Sequence, residues 1–156
     1  MLVGKIDRVG RIRTLHGDMG VWHKYTFGLA GERFFRALAE KGVLLASRCE
    51  ACRKTYLPPK VYCPACFAEL TVWAELPPRG YVETYTFLYE DLEENRLTEP
   101  VAVAFITFPG VDGGLVHRLG EVRPEEVCSG LEVEAVLAAE RSGGLQDILY
   151  FRPSRE

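Results

Sequence analysis

The hydrophobic rhythm of the chain changes twice. Residues 1–25 mix Gly4, Gly10, Gly17 and Gly20 with short apolar pieces and basic side chains, and no amphipathic period develops, so this arm reads as extended or looped. Over 29–41, Phe34 and Leu38 stand four apart and Phe35 and Leu38 three apart, among Glu32, Arg33, Arg36 and Glu40. That spacing stacks apolar side chains on one face of a short helix. Gly42 follows where a left-handed residue commonly ends a helix, and Val43-Leu44-Leu45 has the apolar density of a strand that delivers the chain to Cys49.

Pro77-Pro78-Arg79-Gly80 punctuates the chain, and everything beyond it reads as β structure. Residues 81–89 are rich in aromatic and β-branched side chains, 101–108 form an apolar strand, and 115–119 follow a glycine-rich hairpin turn at 110–114. Leu131, Val133, Ala135 and Leu137 alternate with Glu132 and Glu134, giving one buried and one wetter face, and 148–151 follow the Gly143-Gly144 turn. Five strands with one helical turn at 124–127 predict a small closed barrel, of which the OB-fold is the common five-stranded form. The predicted organisation is an arm at 1–28, a helix with a cysteine module at 29–76, and the barrel at 77–156.

Between helix and barrel lie Cys49-Glu50-Ala51-Cys52 and Cys63-Pro64-Ala65-Cys66, a C-x2-C-x10-C-x2-C pattern. A two-residue gap lets both sulfurs of a turn face one cation, and two such turns supply the four thiolates of a tetrahedral site. Thr55-Tyr56-Leu57-Pro58-Pro59 forms the intervening hairpin of a ribbon. Structural Zn2+ held by Cys49, Cys52, Cys63 and Cys66 is the leading expectation; iron in the same cage and a redox dithiol are the alternatives, and visible colour separates iron from zinc. Four thiolates leave no coordination position for water, so no hydrolytic chemistry is assigned to the site.

Composition narrows the class. The chain has 156 residues, 47% hydrophobic and 26% charged, which suffices for a core and excludes disorder as the main state. The longest apolar run, 101–108, is far below the roughly 18 residues of a membrane-spanning helix. The N-terminal residues lack the basic stretch and apolar core of a secretory signal, and an odd cysteine count dominated by two C-x-x-C pairs fits a reducing compartment, so a cytoplasmic protein is expected. Charge is distributed unevenly: residues 1–66 carry 12 basic and 5 acidic side chains, a net of +7, whereas 67–156 carry 7 basic and 17 acidic, a net of −10. Halves of opposite sign suggest different partners for each.

No catalytic constellation emerges. Cys128, at the end of the helical turn, reads as a small buried side chain, although a nucleophile would also be a cysteine. His16, His23 and His117 are isolated from any metal-ligand spacing. Asp91, Glu93 and Glu94 read as a solvated loop between strands. Gly110-Val111-Asp112-Gly113-Gly114 lacks the following helix and the Lys-Ser/Thr of a phosphate loop.

The order of parts resembles the acyl-CoA-associated zinc-ribbon/OB-fold family, formerly a domain of unknown function. The resemblance runs over roughly 25–153 and is carried by Cys49-x-x-Cys52, Leu57-Pro58-Pro59, Cys63-Pro64-x-Cys66, the strand opening at Gly80, Glu99-Pro100-Val101 and Gly130-Leu131-Glu132-Val133. It implies a mainly β fold, with an N-terminal helix and rubredoxin-like zinc ribbon before a five-stranded OB-fold barrel. It also implies a non-catalytic accessory subunit of a thiolase-type or other acyl-CoA enzyme, helping to bind or pass the thioester, with coenzyme A or acyl-CoA as ligand. Two positions depart from the pattern: Arg53 and Phe67 follow each knuckle where ribbons often have Gly. The arm, with His16-Gly17-Asp18 and Trp22, looks like a docking segment of the thiolase-associated variant.

Coenzyme A carries phosphates, and Lys24, Arg33, Arg36, Lys41, Arg48, Arg53, Lys54 and Lys60 all lie in the helix and ribbon half. Each is equally an ordinary solvated cation, and none is assigned as a ligand. Zinc ribbons and OB-folds also bind nucleic acid, with Tyr81, Tyr85 and Phe87 as stacking platforms, but a barrel half at −10 repels a polyphosphate backbone.

Overall fold

The computed structural model describes residues 25–154. Helix α1 (Gly28–Lys41) buries Ala30, Phe34 and Leu38, successive positions of one i, i+4 stripe. It ends at Gly42, whose φ of 68° places it in the left-handed region and whose N–H donates to the Leu38 carbonyl at 3.0 Å. Lys41, in the last turn, reaches Glu75 at 2.5 Å. No helix among the described residues is long and apolar enough to cross a membrane.

Eight strands follow: β1 (Leu44–Arg48), β2 (Thr55–Leu57), β3 (Val72–Leu76), β4 (Arg79–Glu90), β5 (Arg96–Thr107), β6 (Asp112–Arg118), β7 (Glu132–Leu137) and β8 (Ile148–Pro153), with 3₁₀ turns at Pro124–Glu126 and Leu145–Asp147. They form one sheet in the order β3-β1-β2-β6-β5-β4-β7-β8. The fold is mainly β, as expected, but the closed five-stranded barrel is corrected to an eight-stranded curled half-barrel. The cause lies at β6. One edge pairs with β5; the other pairs with β2, in parallel at Asp112 and Gly113, and only past the end of β6 does the chain meet β8, through the isolated bridge of Leu119 to Phe151.

Three further differences have local reasons. Val72-Trp73-Ala74-Glu75-Leu76 is a strand the sequence reading passes over, paired along its length with β1. Gly113 and Gly114 belong to β6 and not to a hairpin turn; the turn sits earlier, where the Val111 N–H donates to the Phe108 carbonyl and Gly110 takes a φ of 71°. Cys128 is exposed, not buried, because it opens the tight turn that Gly130 completes with a φ of 86°.

One apolar core spans helix and sheet. Phe34, Leu38, Leu44 and Leu57 meet Val82, Ile106, Val133, Ile148 and Phe151, all almost completely buried. At about 25 cal/mol per Å² of apolar surface, burial of each large side chain contributes on the order of 2 kcal/mol, so this cluster is the main source of cohesion between the helix and the β4–β8 strands. A second, smaller cluster holds Cys49, Tyr56, Cys63 and Leu70.

Candidate metal centre

Strand β1 ends at Arg48 and presents Cys49 at its tip. The Cys49 N–H donates to the Lys54 carbonyl at 2.8 Å, and the Cys52 N–H points at the Cys49 sulfur at 3.5 Å. The second knuckle repeats this geometry: the Cys63 N–H donates to the Ala68 carbonyl and the Phe67 N–H to the Cys63 carbonyl, each at 2.9 Å. In both turns the residue after the second cysteine carries a left-handed backbone, Arg53 at φ 61° and Phe67 at φ 60°. These are the two departures from glycine noted in the sequence, and each costs about 1–2 kcal/mol of backbone strain. The knuckles hold nonetheless.

The four sulfurs converge. Cys49 Sγ lies 3.5 Å from Cys66 Sγ and Cys52 Sγ 3.5 Å from Cys63 Sγ, and all four ligand atoms are within 4.8 Å of one another. A Zn–S bond of about 2.3 Å implies a tetrahedral edge of roughly 3.8 Å, so the quartet fits one such ion; disulfides, at about 2.05 Å, are excluded by the spacing. Cys49 and Cys63 are buried, Cys52 is half-buried and Cys66 is exposed.

Tyr56, on β2, supports the cage from within. Its hydroxyl donates to Cys63 Sγ across 3.3 Å, and this hydrogen bond is the main reason the metal-free Cys63 thiol falls to about 6. The Tyr56 phenol is raised by the same contact. At Cys66 the Ala68 amide lowers the pKa, but the Cys49 and Cys63 sulfurs and desolvation outweigh it and push the thiol up to about 12. Metal binding replaces protons of this kind. Sequence reasoning missed Tyr56; its place one residue into a three-residue strand between knuckles was the available signal. The buried Ser47 hydroxyl accepts the Lys60 N–H at 2.9 Å and ties the second knuckle's approach to β1.

The remaining candidates are dispersed. Arg36 pairs with Glu32, Lys41 with Glu75 and Lys54 with Asp112, while Arg33 stacks 4.8 Å from the centre of the Trp73 ring. Arg48 and Arg53 line a cleft of about 250 Å³ beside Cys49. Lys24, His16, His23, Trp22 and the proposed docking arm before Tyr25 lie outside the described residues. His117 packs against Phe151 with ring centres 5.7 Å apart, and desolvation lowers its pKa. Asp91 organises a hairpin loop, accepting hydrogen bonds from the Glu93 and Asn95 amides at 3.0 and 2.8 Å.

Comparison with known proteins gives two family models on this chain: the ChsH2 rubredoxin-like zinc ribbon domain over 36–71 and the ChsH2 C-terminal OB-fold domain over 73–138. A "DUF35 domain-containing scaffold protein" of Methanocaldococcus jannaschii is 26% identical over 125 residues, covering 76% of this chain and 84% of that one. The crystal structure of a DUF35-family protein from Sulfolobus solfataricus is 30% identical, with a TM-score of 0.64, covering 81% of this chain and 84% of the other. A structure described as the Ltp2-ChsH2(DUF35) aldolase is similar in fold, at 23% identity and a TM-score of 0.62, covering 83% of this chain and 98% of that chain. With four sulfurs gathered as a structural zinc requires, and an OB-fold domain following the ribbon, this chain belongs to the DUF35 family.

Proposed function

We propose that this protein is a non-catalytic accessory subunit of a thiolase-type acyl-CoA enzyme, held in shape by a zinc ion on Cys49, Cys52, Cys63 and Cys66. The observation that carries the reading is the closed four-thiolate cage: a donor set that leaves the ion no open position serves architecture, not turnover. Two comparisons support it from outside. One relative is named a scaffold protein, and a protein of like fold is part of an aldolase assembly. The enzyme partner then supplies nucleophile and base, and this subunit contributes a wall along which the thioester is bound or passed. Arg48 and Arg53, which line the cleft beside Cys49 together with Glu50 and Val72, support the reading as cations able to pair with a coenzyme A phosphate.

Purification from its own cells, followed by gel filtration with and without the thiolase-type enzymes of that cell, tests this. Co-elution with such an enzyme, and higher acyl-CoA turnover by the pair than by the enzyme alone, are expected. Acyl-CoA turnover by the isolated chain that is lost in Cys128→Ala would overturn the accessory role. So would tight binding to single-stranded oligonucleotides with a steep salt slope.

A further inference from the structure

Strands β4 and β5 are longer than the sheet that supports them. The outer edge of β4 is engaged only as far as Val82, which exchanges hydrogen bonds with Leu131 and Gly130, and β7 pairs with β4 only over Arg79 to Tyr81. On the other side β6 pairs with β5 from Val103 onward, and the Leu119 N–H reaches the Ala102 carbonyl. Beyond those points, among the described residues, 84–90 and 96–101 pair only with each other. A two-stranded ribbon with two open edges is marginal in water by itself, and Pro100, which has no register partner on β4, is tolerated in such an edge strand.

The ribbon is nevertheless ordered at its tip. Asp91 and Asn95 close the loop through the Asp91 N–H to the Asn95 carbonyl at 3.0 Å, the Glu94 N–H donates to the Asp91 carbonyl at 3.2 Å, and Glu94 takes a left-handed φ of 64°. The Asp91 carboxylate clamps the same loop through the Glu93 and Asn95 amides. This firm turn holds Leu92 out into solvent, 99% exposed, and Tyr89 is 58% exposed behind it. Leu88 and Val101 sit directly opposite each other in the register, at 46% and 37%. Exposed single apolar residues are ordinary, but four toward the tip of one projecting, pre-shaped element, with Tyr85 exposed at its root, are not.

Charge states what would cover it. Residues 90–99 hold five carboxylates, Glu90, Asp91, Glu93, Glu94 and Glu99, against the single guanidinium of Arg96, a net of −4. None of the five forms a salt bridge among the described residues. A projecting element that carries exposed apolar side chains among unpaired carboxylates is complementary to an apolar recess rimmed by Lys and Arg. At the root of the ribbon a cavity of about 390 Å³, walled by Phe87, Pro100, Leu119, Val122 and Tyr150, is large enough to receive a side chain from such a partner.

We propose that the β4–β5 hairpin beyond Val82 is the docking arm of this protein, inserting Leu92, Tyr89 and the Leu88–Val101 pair into an apolar recess with a basic rim on its enzyme partner. The proposal rests on the accessory-subunit reading and names the element that makes the contact. The ordered turn lowers the entropy lost on docking, and the acidic rim sets the approach.

The test titrates the purified thiolase-type partner recovered with the wild-type chain against four proteins: wild type, Tyr89→Ser/Leu92→Ser, Glu90→Lys/Glu93→Lys, and Val116→Ser, an exposed β6 position off the hairpin. Unchanged far-ultraviolet circular dichroism and melting temperature certify the fold of each, since every altered side chain is exposed. The double serine variant is expected to bind at least about 10-fold more weakly. The charge reversal should slow association at least about 10-fold at low salt, with a smaller effect at high salt, and Val116→Ser should match wild type. Hydrogen exchange of the 84–101 amides should slow in the complex. If wild type binds and both hairpin variants bind equally well, the hairpin assignment falls while the accessory role stands. If wild type binds no such enzyme, both fall. If the isolated chain self-associates through the hairpin and its variants keep full enzyme affinity, the occupant is a second copy and the proposal is overturned.

Discussion

Gly113 of β6 lies opposite Leu57 of β2 in a parallel pair, and a Cβ on Gly113 would run into the Leu57 carbonyl oxygen. Through this contact the cysteine module and the OB strands become one sheet. Gly113 also has a φ of 94°, where an L side chain is strained whatever the space. Gly113→Ala is therefore expected to destabilise the protein by about 2 kcal/mol or more, and to increase hydrogen exchange at Tyr56 and Leu57. Denaturant unfolding with native-state exchange measures both; unchanged exchange in β2 would separate the ribbon from the sheet energetically.

The Tyr56 hydroxyl is the buried donor that faces the cage, 3.3 Å from Cys63 Sγ. Wild-type protein should carry one zinc per chain by elemental analysis and show no visible absorption. Tyr56→Phe keeps the ring that packs with Leu70 and removes only the donor. Supporting hydrogen bonds to a metal ligand are worth about 10- to 100-fold in affinity, so competition with a chromophoric chelator should show zinc held that much more weakly. Cys63→Ser should lose the metal outright and expose the small cluster around Tyr56 and Leu70.

Arg53 and Phe67 hold left-handed backbones at matching positions of the two knuckles. Glycine relieves the Cβ strain of about 1–2 kcal/mol but adds unfolded-state entropy of about 0.5–1 kcal/mol. Arg53→Gly should therefore stabilise the zinc-loaded protein by up to about 1 kcal/mol, seen as a modest rise in melting temperature with zinc stoichiometry unchanged. Phe67→Gly should do the same, because Phe67 is 81% exposed and its ring gives up little packing. A fall in stability for both would mean that the side chains, and not the turns, hold the knuckles.

The cage was legible from sequence because its geometry is local: two-residue gaps and tight turns fix where each sulfur goes. Helix α1 was legible for the same reason, from Phe34, Leu38 and the left-handed Gly42. What escaped was non-local. The β2–β6 pairing joins residues more than fifty apart, and Gly113, which permits it, and Gly114, which makes the close approach to the Ile106 carbonyl of β5, look in sequence like a turn. Strand β3 escaped because its burial scarcely alternates, and the start of β5 because Arg96, Thr98 and Glu99 are wet on both faces, so no period of two is imposed. Tyr56 was visible as a ribbon residue, but only the fold turns its hydroxyl toward Cys63.

Asp147 is a buried carboxylate whose oxygens accept the Ser142, Gly143 and Gly144 amides at 2.8, 2.7 and 3.3 Å and the Ser142 hydroxyl at 3.2 Å. Arg141 of the same loop donates to the Ala39 carbonyl at 2.9 Å, so the loop that Asp147 shapes also fastens the end of α1. The Ser142 amide is the chief cause of an Asp147 pKa below the usual carboxylate range, with the Gly143 and Gly144 amides adding to it against desolvation. The folded form binds this proton less readily than the unfolded chain, so the stabilisation is complete well above the unfolded value of about 3.9 and is lost as pH falls toward the folded pKa. Asp147→Asn should melt below wild type at pH 7, with the gap between them narrowing as pH drops below about 4. Asp91 and Glu126 are also depressed, by the Asn95 amide and by Arg123, and contribute the same slope to both proteins, so the difference between the two melting curves isolates Asp147. Curves that stay parallel from pH 7 to pH 3 would show that the loop is held by its backbone turns and not by the carboxylate.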